Sequence, residues 1–333
     1  MIESKPRVSV IGGGSWATAI MKMLTENLDE VCWWMRSESK LTYIKEFGRN
    51  PRYLPSVKFD TQKILLTTDL AHAMQWGDII IMATPSAFVY DLFKDFDCKG
   101  YEDKVMVSAI KGIIAAYHAI PARYFHKQFG VPYDSIAMIS GPCHAEEVAM
   151  ERLSYLTIAC SDLSKAEIVA KVLATRYIHT TTSDDLFGTE LSAVMKNVFA
   201  VASGICHGLG YGDNFQAVLM SNSILEIERF VDAVNPIHRD VKTSAYLGDL
   251  LVTGYSQFSR NRTFGSMIGK GYSVKSAMME MNMVAEGYYA AKSIIEMNKK
   301  FQVDLPICHA VYNIVYDNIA PSIEMSILSD KLV

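Results

Sequence analysis

The run Arg7–Ala17 reads R-V-S-V-I-G-G-G-S-W-A: a short apolar strand over Arg7–Ile11, a glycine-rich turn, and a helical pattern that continues to about Thr25. The turn fits G-x-G-x-x-A. Gly12 permits the tight turn, Gly14 lets the backbone approach a pyrophosphate, and Ala17 allows close packing of helix on strand. The helix N-terminus then offers unpaired N–H groups and a favourable dipole to the phosphates. An ordinary glycine-rich turn uses the same residues. The strand-to-helix context near the start of the chain favours the dinucleotide reading.

Working outward, the next strand is Glu30–Met35 (E-V-C-W-W-M). A carboxylate at its end would bind the 2′-hydroxyl of NAD. None is there, and Arg36 follows. A guanidinium at that point pairs with a 2′-phosphate or stacks on adenine. This favours NADP over NAD, with NAD as the alternative; a plain surface arginine reads the same way. The alternation continues with a strand at Ile64–Thr67, a short helix at Asp69–Met74, a buried strand at Asp78–Ala83 and a helix near Ala87–Phe93. Lys104–Ala109, Ile136–Ile139, Ser154–Cys160 and Tyr177–Thr182 read as further strands, the last two near the far edge. Strands alternating with helices imply a mostly parallel, doubly wound sheet.

After about Ser183 the strand pattern stops. Helical patterns cover Gly188–Leu209, Asn214–Val231, Thr243–Thr253, Val274–Asn298 and Pro306–Tyr316. The fold class expected is α/β, with a Rossmann-type sheet domain over residues 1–182 and an all-helical domain over 183–333. A substrate is expected in the cleft between them.

The 333 residues, half hydrophobic and a fifth charged, allow a large core and about two domains. A net charge of -4 gives no sign of nucleic-acid binding or of an anionic membrane partner. No apolar run approaches the ~18 residues of a membrane span. The six cysteines, Cys32, Cys98, Cys143, Cys160, Cys206 and Cys308, are scattered without a C-x-x-C, which suits free thiols in a reducing cytoplasm.

Three patches carry chemistry. In Leu191–Gly212 the single formal charge is Lys196, set in a helix with no charged face. Such a helix is buried on several sides, and a lysine there needs a partner or a cavity. Desolvation lowers its pKa and suits it to proton transfer; a lysine snorkelling to solvent is the plainer reading. Asp249, after Gly248, is the natural carboxylate partner, and it pulls the lysine pKa the other way. Ser256–Arg262 (S-Q-F-S-R-N-R) clusters hydroxyls, an amide and two guanidiniums, which suits a phosphate or equally a solvated basic loop. Lys111 and the S-G-P-C-H-A-E-E run of Ser140–Glu147 follow strand carboxyl ends. H-A-E there lacks the P-C-x-x-C of a zinc deaminase, and H-E-x-x-H is absent, so no metal site is read.

Together these motifs resemble the bacterial type of NAD(P)-dependent glycerol-3-phosphate dehydrogenase. The matching stretches run from V-I-G-G-G-S-W-A-T-A through S-A-I-K-G, S-G-P-C-H-A-E-E-V-A, E-L-S-A-V-M-K-N-V, G-L-G-Y-G-D-N and L-G-D-L-L-V-T to S-R-N-R-T-F-G and V-A-E-G. The resemblance implies reversible reduction of dihydroxyacetone phosphate to sn-glycerol 3-phosphate, supplying glycerophospholipid synthesis, in a cytoplasmic enzyme with a homodimer as its candidate assembly. It implies Lys196 as proton donor and acceptor, with Lys111 and Asp249 flanking the reacting carbon. Gly141, Cys143, Thr253, Ser259, Arg260 and Asn261 fall at substrate-contacting positions. Ser15, Trp16, Arg36, Lys111, Ala145, Arg260, Val284 and Glu286 fall at cofactor-contacting ones, beside Gly12 and Gly14. Cys143 stands where Ser or Thr is usual, His144 where Phe is usual, and Asn222 where Arg is common. Two competing readings are a hydroxyacid dehydrogenase, which would bind a carboxylate, and a nicotinamide redox sensor, which has no use for both lysines.

Overall fold

The computed structural model describes residues 5–117, 119–281 and 285–333. It divides into two units: Met1–Ile110 with Pro121–Leu186, and Lys111–Ile120 with Phe187–Val333.

The first unit is built on one eight-stranded sheet. Its strands are β1 (Val8–Ile11), β2 (Val31–Trp34), β3 (Ile64–Thr67), β4 (Ile79–Met82), β5 (Val105–Ser108), β6 (Ile136–Ser140), β7 (Ser154–Cys160) and β8 (Ile178–Ser183), in the order β3-β2-β1-β4-β5-β6-β7-β8. Every pairing is parallel except β6 with β7. V-S-V-I of β1 and I-I-I-M of β4 are buried along their whole length, as strands covered on both faces require. The chain leaves β1 toward β2 and β3, then returns to β4 on the other side of β1. The turn after β1 therefore lies at the switch point of the sheet, where ligands of such folds bind.

The second unit is helical. The 23-residue helix Leu186–Gly208 runs through its middle, and every residue from Leu191 to Cys206 is buried. It meets the helix Arg260–Gly269 at backbone contact. A Cβ on Gly204 would lie 2.1 Å from the Arg262 carbonyl oxygen, and one on Gly265 would lie 2.1 Å from that of Val201. Gly208 and Gly269 repeat the relation one turn further, at 2.5 and 2.3 Å from Ser266 and Ile205 oxygens. Two G-x-x-x-G faces thus press together. On the helix Asp213–Val234, the buried Glu226 accepts from the Ile307 and Cys308 amides (2.5 and 3.3 Å), capping the helix Pro306–Val315 from outside its own sequence.

Three features differ in detail from the layout read from the sequence. The division falls after Leu186 rather than 182, and Lys111–Ile120 belongs to the helical unit. The reason for the second shift is packing: Ile113 and Ile120 are buried in the helical core. The expected single helix Val274–Asn298 is two, Val274–Glu280 and Glu286–Phe301, because Met281 and Ala285 are extended. The helix Arg260–Gly269 lies outside the helical patterns read from the sequence, and the second half of the Ser256–Arg262 cluster opens it. All six cysteines are free thiols.

Candidate active site

In the helical unit three charged groups converge. Lys196 projects from the fully buried stretch of its helix, and its Nζ donates to Asp249 Oδ1. Lys111 Nζ reaches the same carboxylate at 3.4–3.5 Å. Asp249 is 2 % exposed at its side chain, Lys196 5 % and Lys111 21 %. Asp249 opens the helix Asp249–Tyr255 directly after a wide, π-type turn at Ser244–Gly248. Such turns re-aim side chains and recur at functional sites. Thr253, also buried, donates its Oγ1 to the Asp249 carbonyl at 2.6 Å.

The electrostatics of the cluster resolve a competition. Burial pushes the Lys196 ammonium down, Asp249 pulls it back up, and Lys111 pushes it down again; the result is a lysine lowered to about 7. Burial pushes the Asp249 carboxyl up, but the two lysine charges outweigh it and hold the group below the usual carboxylate range. The site therefore contains a firmly ionised carboxylate and a buried lysine able to exist with or without its proton near neutrality.

An amide relay supports the cluster. Asn197 Nδ2 donates to the Lys111 carbonyl at 2.7 Å and to Ala193 O at 3.1 Å. Its Oδ1 accepts from Asn261 Nδ2 at 2.8 Å, and Asn261 Oδ1 accepts from Gly287 N at 2.9 Å. Asn197 has no role among the residues read from the sequence, where its one signal is its place next to Lys196. Ser259 is buried and caps the Arg260 helix, its Oγ accepting from Arg262 N at 3.3 Å. Arg260 is exposed, and Arg262 buries its Nε with no hydrogen-bond partner among the described residues. Glu286 is half-buried at the start of its helix. Val284 lies outside the described residues.

In the sheet unit the turn after β1 fits a dinucleotide. Gly12 has φ +145°, and a Cβ there would lie 2.6 Å from Ala83 O, so no other residue fits. Gly14 precedes the helix Ser15–Asn27 without any side-chain cap, and a Cβ built on it meets nothing within 4 Å. The first-turn amides of Ser15 and Trp16 thus open onto space that a pyrophosphate can approach. Ala17 is fully buried against the sheet. Arg36 is exposed just past β2. After β6, Gly141 has φ +108°, Cys143 is buried, and Ala145 begins a five-residue helix. Among the described residues no three His, Cys, Asp or Glu side chains gather to hold a metal ion, and no helix is long and apolar enough to cross a membrane.

Comparison with known proteins covers both units. The model for the N-terminal part of NAD-dependent glycerol-3-phosphate dehydrogenase matches residues 7–166, and that for the C-terminal part matches residues 185–326. A glycerol-3-phosphate dehydrogenase (NAD(P)+) of Staphylococcus aureus strain JH9 is 33 % identical over 315 residues, 94 % of this chain and 95 % of the relative. The crystal structure of glycerol-3-phosphate dehydrogenase from Coxiella burnetii superposes with a TM-score of 0.89 at 26 % identity, covering 97 % of this chain and 98 % of that one. The Plasmodium falciparum glycerol-3-phosphate dehydrogenase has a TM-score of 0.84 at 22 % identity over 96 % and 94 % of the chains, a likeness of fold.

Proposed function

The chain belongs to the NAD-dependent glycerol-3-phosphate dehydrogenase family, and from that premise we propose that it reversibly reduces dihydroxyacetone phosphate to sn-glycerol 3-phosphate with NADP(H), and propose which residues carry each part of the reaction. The observation that carries this reading is the buried Lys196–Asp249–Lys111 cluster. Ketone reduction places negative charge on a carbonyl oxygen, which needs a cation and then a proton. Lys196, lowered to about 7, gives that proton in reduction and takes it back in oxidation. Asp249 holds Lys196 in place, and Lys111 supplies charge that stays near the oxygen. Thr253 fixes the backbone of Asp249, and the Asn197–Asn261 pair fixes that of Lys111.

The substrate phosphate is assigned to the S-R-N-R run. Ser259, Arg260 and Asn261 carry it by family resemblance, the Arg260 guanidinium being suited to grip two phosphate oxygens at once. Gly141 and Cys143 are read as substrate contacts on resemblance alone. Gly12, Gly14, Ser15, Trp16, Arg36, Lys111, Ala145, Arg260, Val284 and Glu286 are read as the cofactor set. When bound, the nicotinamide cofactor supplies or accepts the hydride, while the chain orients the substrate and moves the proton. The absence of an acid after β2 and the exposed Arg36 support NADP over NAD. The cytoplasm, a homodimer and a supply of glycerol 3-phosphate for glycerophospholipid synthesis complete the proposal.

A substrate panel followed by NAD(P)H absorbance tests it. Dihydroxyacetone phosphate should be reduced, and 2-keto and 3-keto acids should not. Preference for a keto acid makes the protein a hydroxyacid dehydrogenase, and no turnover of any substrate makes it a sensor.

A further inference from the structure

The turn after the helix Glu38–Phe47 is tied to the glycine loop by one buried side chain. Asn50, 1 % exposed, donates its Nδ2 to Thr18 Oγ1 at 2.9 Å and to Gly13 O at 3.4 Å. Thr18 Oγ1 in turn donates to Gly14 O at 2.8 Å. The other end of the same amide, Oδ1, accepts from the backbone N–H of Arg52 and Tyr53 at 3.1 and 3.2 Å. Arg49 closes the turn by donating to Pro55 O at 2.6 Å. Residues 52 and 53 are therefore positioned from the pyrophosphate-facing loop itself, through a single rigid amide.

What this turn presents is a cationic, aromatic surface. The Tyr53 ring has Arg52 Cζ 5.5 Å from its centroid and Lys40 Nζ 5.9 Å from it. Lys40 stands on the helix that follows Arg36 and β2. Among the described residues neither Arg36, Lys40 nor Arg52 is in an ion pair. The acid in the first turn of that helix, Glu38, accepts instead from Thr68 Oγ1 at 3.2 Å. Three cations without carboxylate partners beside the dinucleotide turn of a net-acidic chain form a local site for an anion.

We propose that Lys40 and Arg52, flanking Tyr53 and tethered to the glycine loop by Asn50, are cofactor-specificity residues that bind the ribose 2′-phosphate of NADP(H) together with Arg36. The inference rests on the reading that the cofactor is NADP(H) bound at the Gly12–Gly14 turn. The 2′-phosphate is a near-dianion at the adenosine end of the cofactor, and it is the one group that NADPH has and NADH lacks. Arginine grips two of its oxygens, and lysine contributes a point charge. Tyr53 offers a face on which the neighbouring adenine stacks.

The test is direct binding, read by quenching of protein fluorescence on titration with NADPH and with NADH, for the parent, Lys40→Ala, Arg52→Ala and the double variant. Arg52 is exposed and Lys40 half-buried, and an unchanged melting temperature for each variant separates a binding effect from a folding one. The proposal expects the NADPH Kd to rise about five- to tenfold in each single variant and at least about thirtyfold in the double variant, with NADH unchanged within about twofold. Added salt should weaken NADPH binding in the parent more than in the double variant. If the parent prefers NADPH and both variants keep that preference, Lys40 and Arg52 are not 2′-phosphate ligands and the proposal fails alone. If both cofactors weaken equally, the cations serve the part that the cofactors share, and it fails likewise. If the parent binds the two cofactors equally, the NADP reading fails and takes the proposal with it.

Discussion

In the sheet unit a Cβ built on Gly14 meets nothing within 4 Å; in the helical unit one built on Gly204 lies 2.1 Å from a carbonyl oxygen. Neither glycine has a positive φ, so neither is there for backbone freedom. Gly14 keeps a surface bare beside a helix N-terminus, where a ligand can come close. Gly204 lets another helix come close, and that helix carries Ser259 at its cap and Asn261 in its first turn. The same missing side chain thus serves binding in one unit and assembly in the other. The cost of filling it should fall on cofactor affinity in the first and on folding in the second.

The largest expected effect separates the chemistry of the helical unit from the binding of the sheet unit. Lys196→Met should lower turnover by roughly 10²–10⁴-fold, the usual loss of a general acid, and leave the NADPH Kd within about twofold. Steady-state rates and a fluorescence titration check both halves. Turnover within a few-fold of the parent makes Lys196 structural.

Next in size is Arg260→Ala. Losing one charge-assisted contact should cost about 1.5–3 kcal/mol, so kcat/KM for dihydroxyacetone phosphate should fall by roughly one to two powers of ten. Unphosphorylated dihydroxyacetone should lose much less, with both assays at saturating NADPH. Equal losses remove the phosphate from the S-R-N run.

The glycines themselves give the sharpest contrast. Gly204→Ala or Gly265→Ala forces backbone apart and should destabilise by about 1–3 kcal/mol or more, seen as a lower melting temperature. Gly14→Ala should leave stability within about 0.5 kcal/mol and weaken NADPH and NADH alike. A Gly14→Ala protein that melts early but binds normally would reverse the assignment.

These two glycine roles also mark where the sequence was readable. G-G-G-S-W-A has a local signature, because strand, turn and helix must follow one another within a few residues. The G-x-x-x-G faces have none, because their meaning depends on a partner helix some sixty residues away. The helix Arg260–Gly269 was missed for the same reason: its glycines and arginines look like loop until the opposing helix is known. The sheet was legible because β-branched runs buried on both faces alternate with helical patterns. Lys196 and Asp249 were legible as charges in apolar surroundings, though not that burial outweighs the ion pair. The Asn197–Asn261 relay was not, since nothing in two asparagines far apart in the chain says that their amides meet.

The central claim is that a buried lysine, lowered to about 7 and held by Asp249, carries the proton in both directions. The pH dependence of kcat/KM, measured for ketone reduction and for alcohol oxidation, tests it most directly. Reduction needs the protonated lysine, so its rate should fall as pH rises through about 7. Oxidation needs the neutral lysine, so its rate should rise through the same pH. Mirror-image profiles with a shared midpoint near 7 are the result expected, and the residual activity of Lys196→Met should lack that midpoint. Profiles that run in the same sense, or a midpoint that survives the substitution, would contradict the assignment of the proton to Lys196.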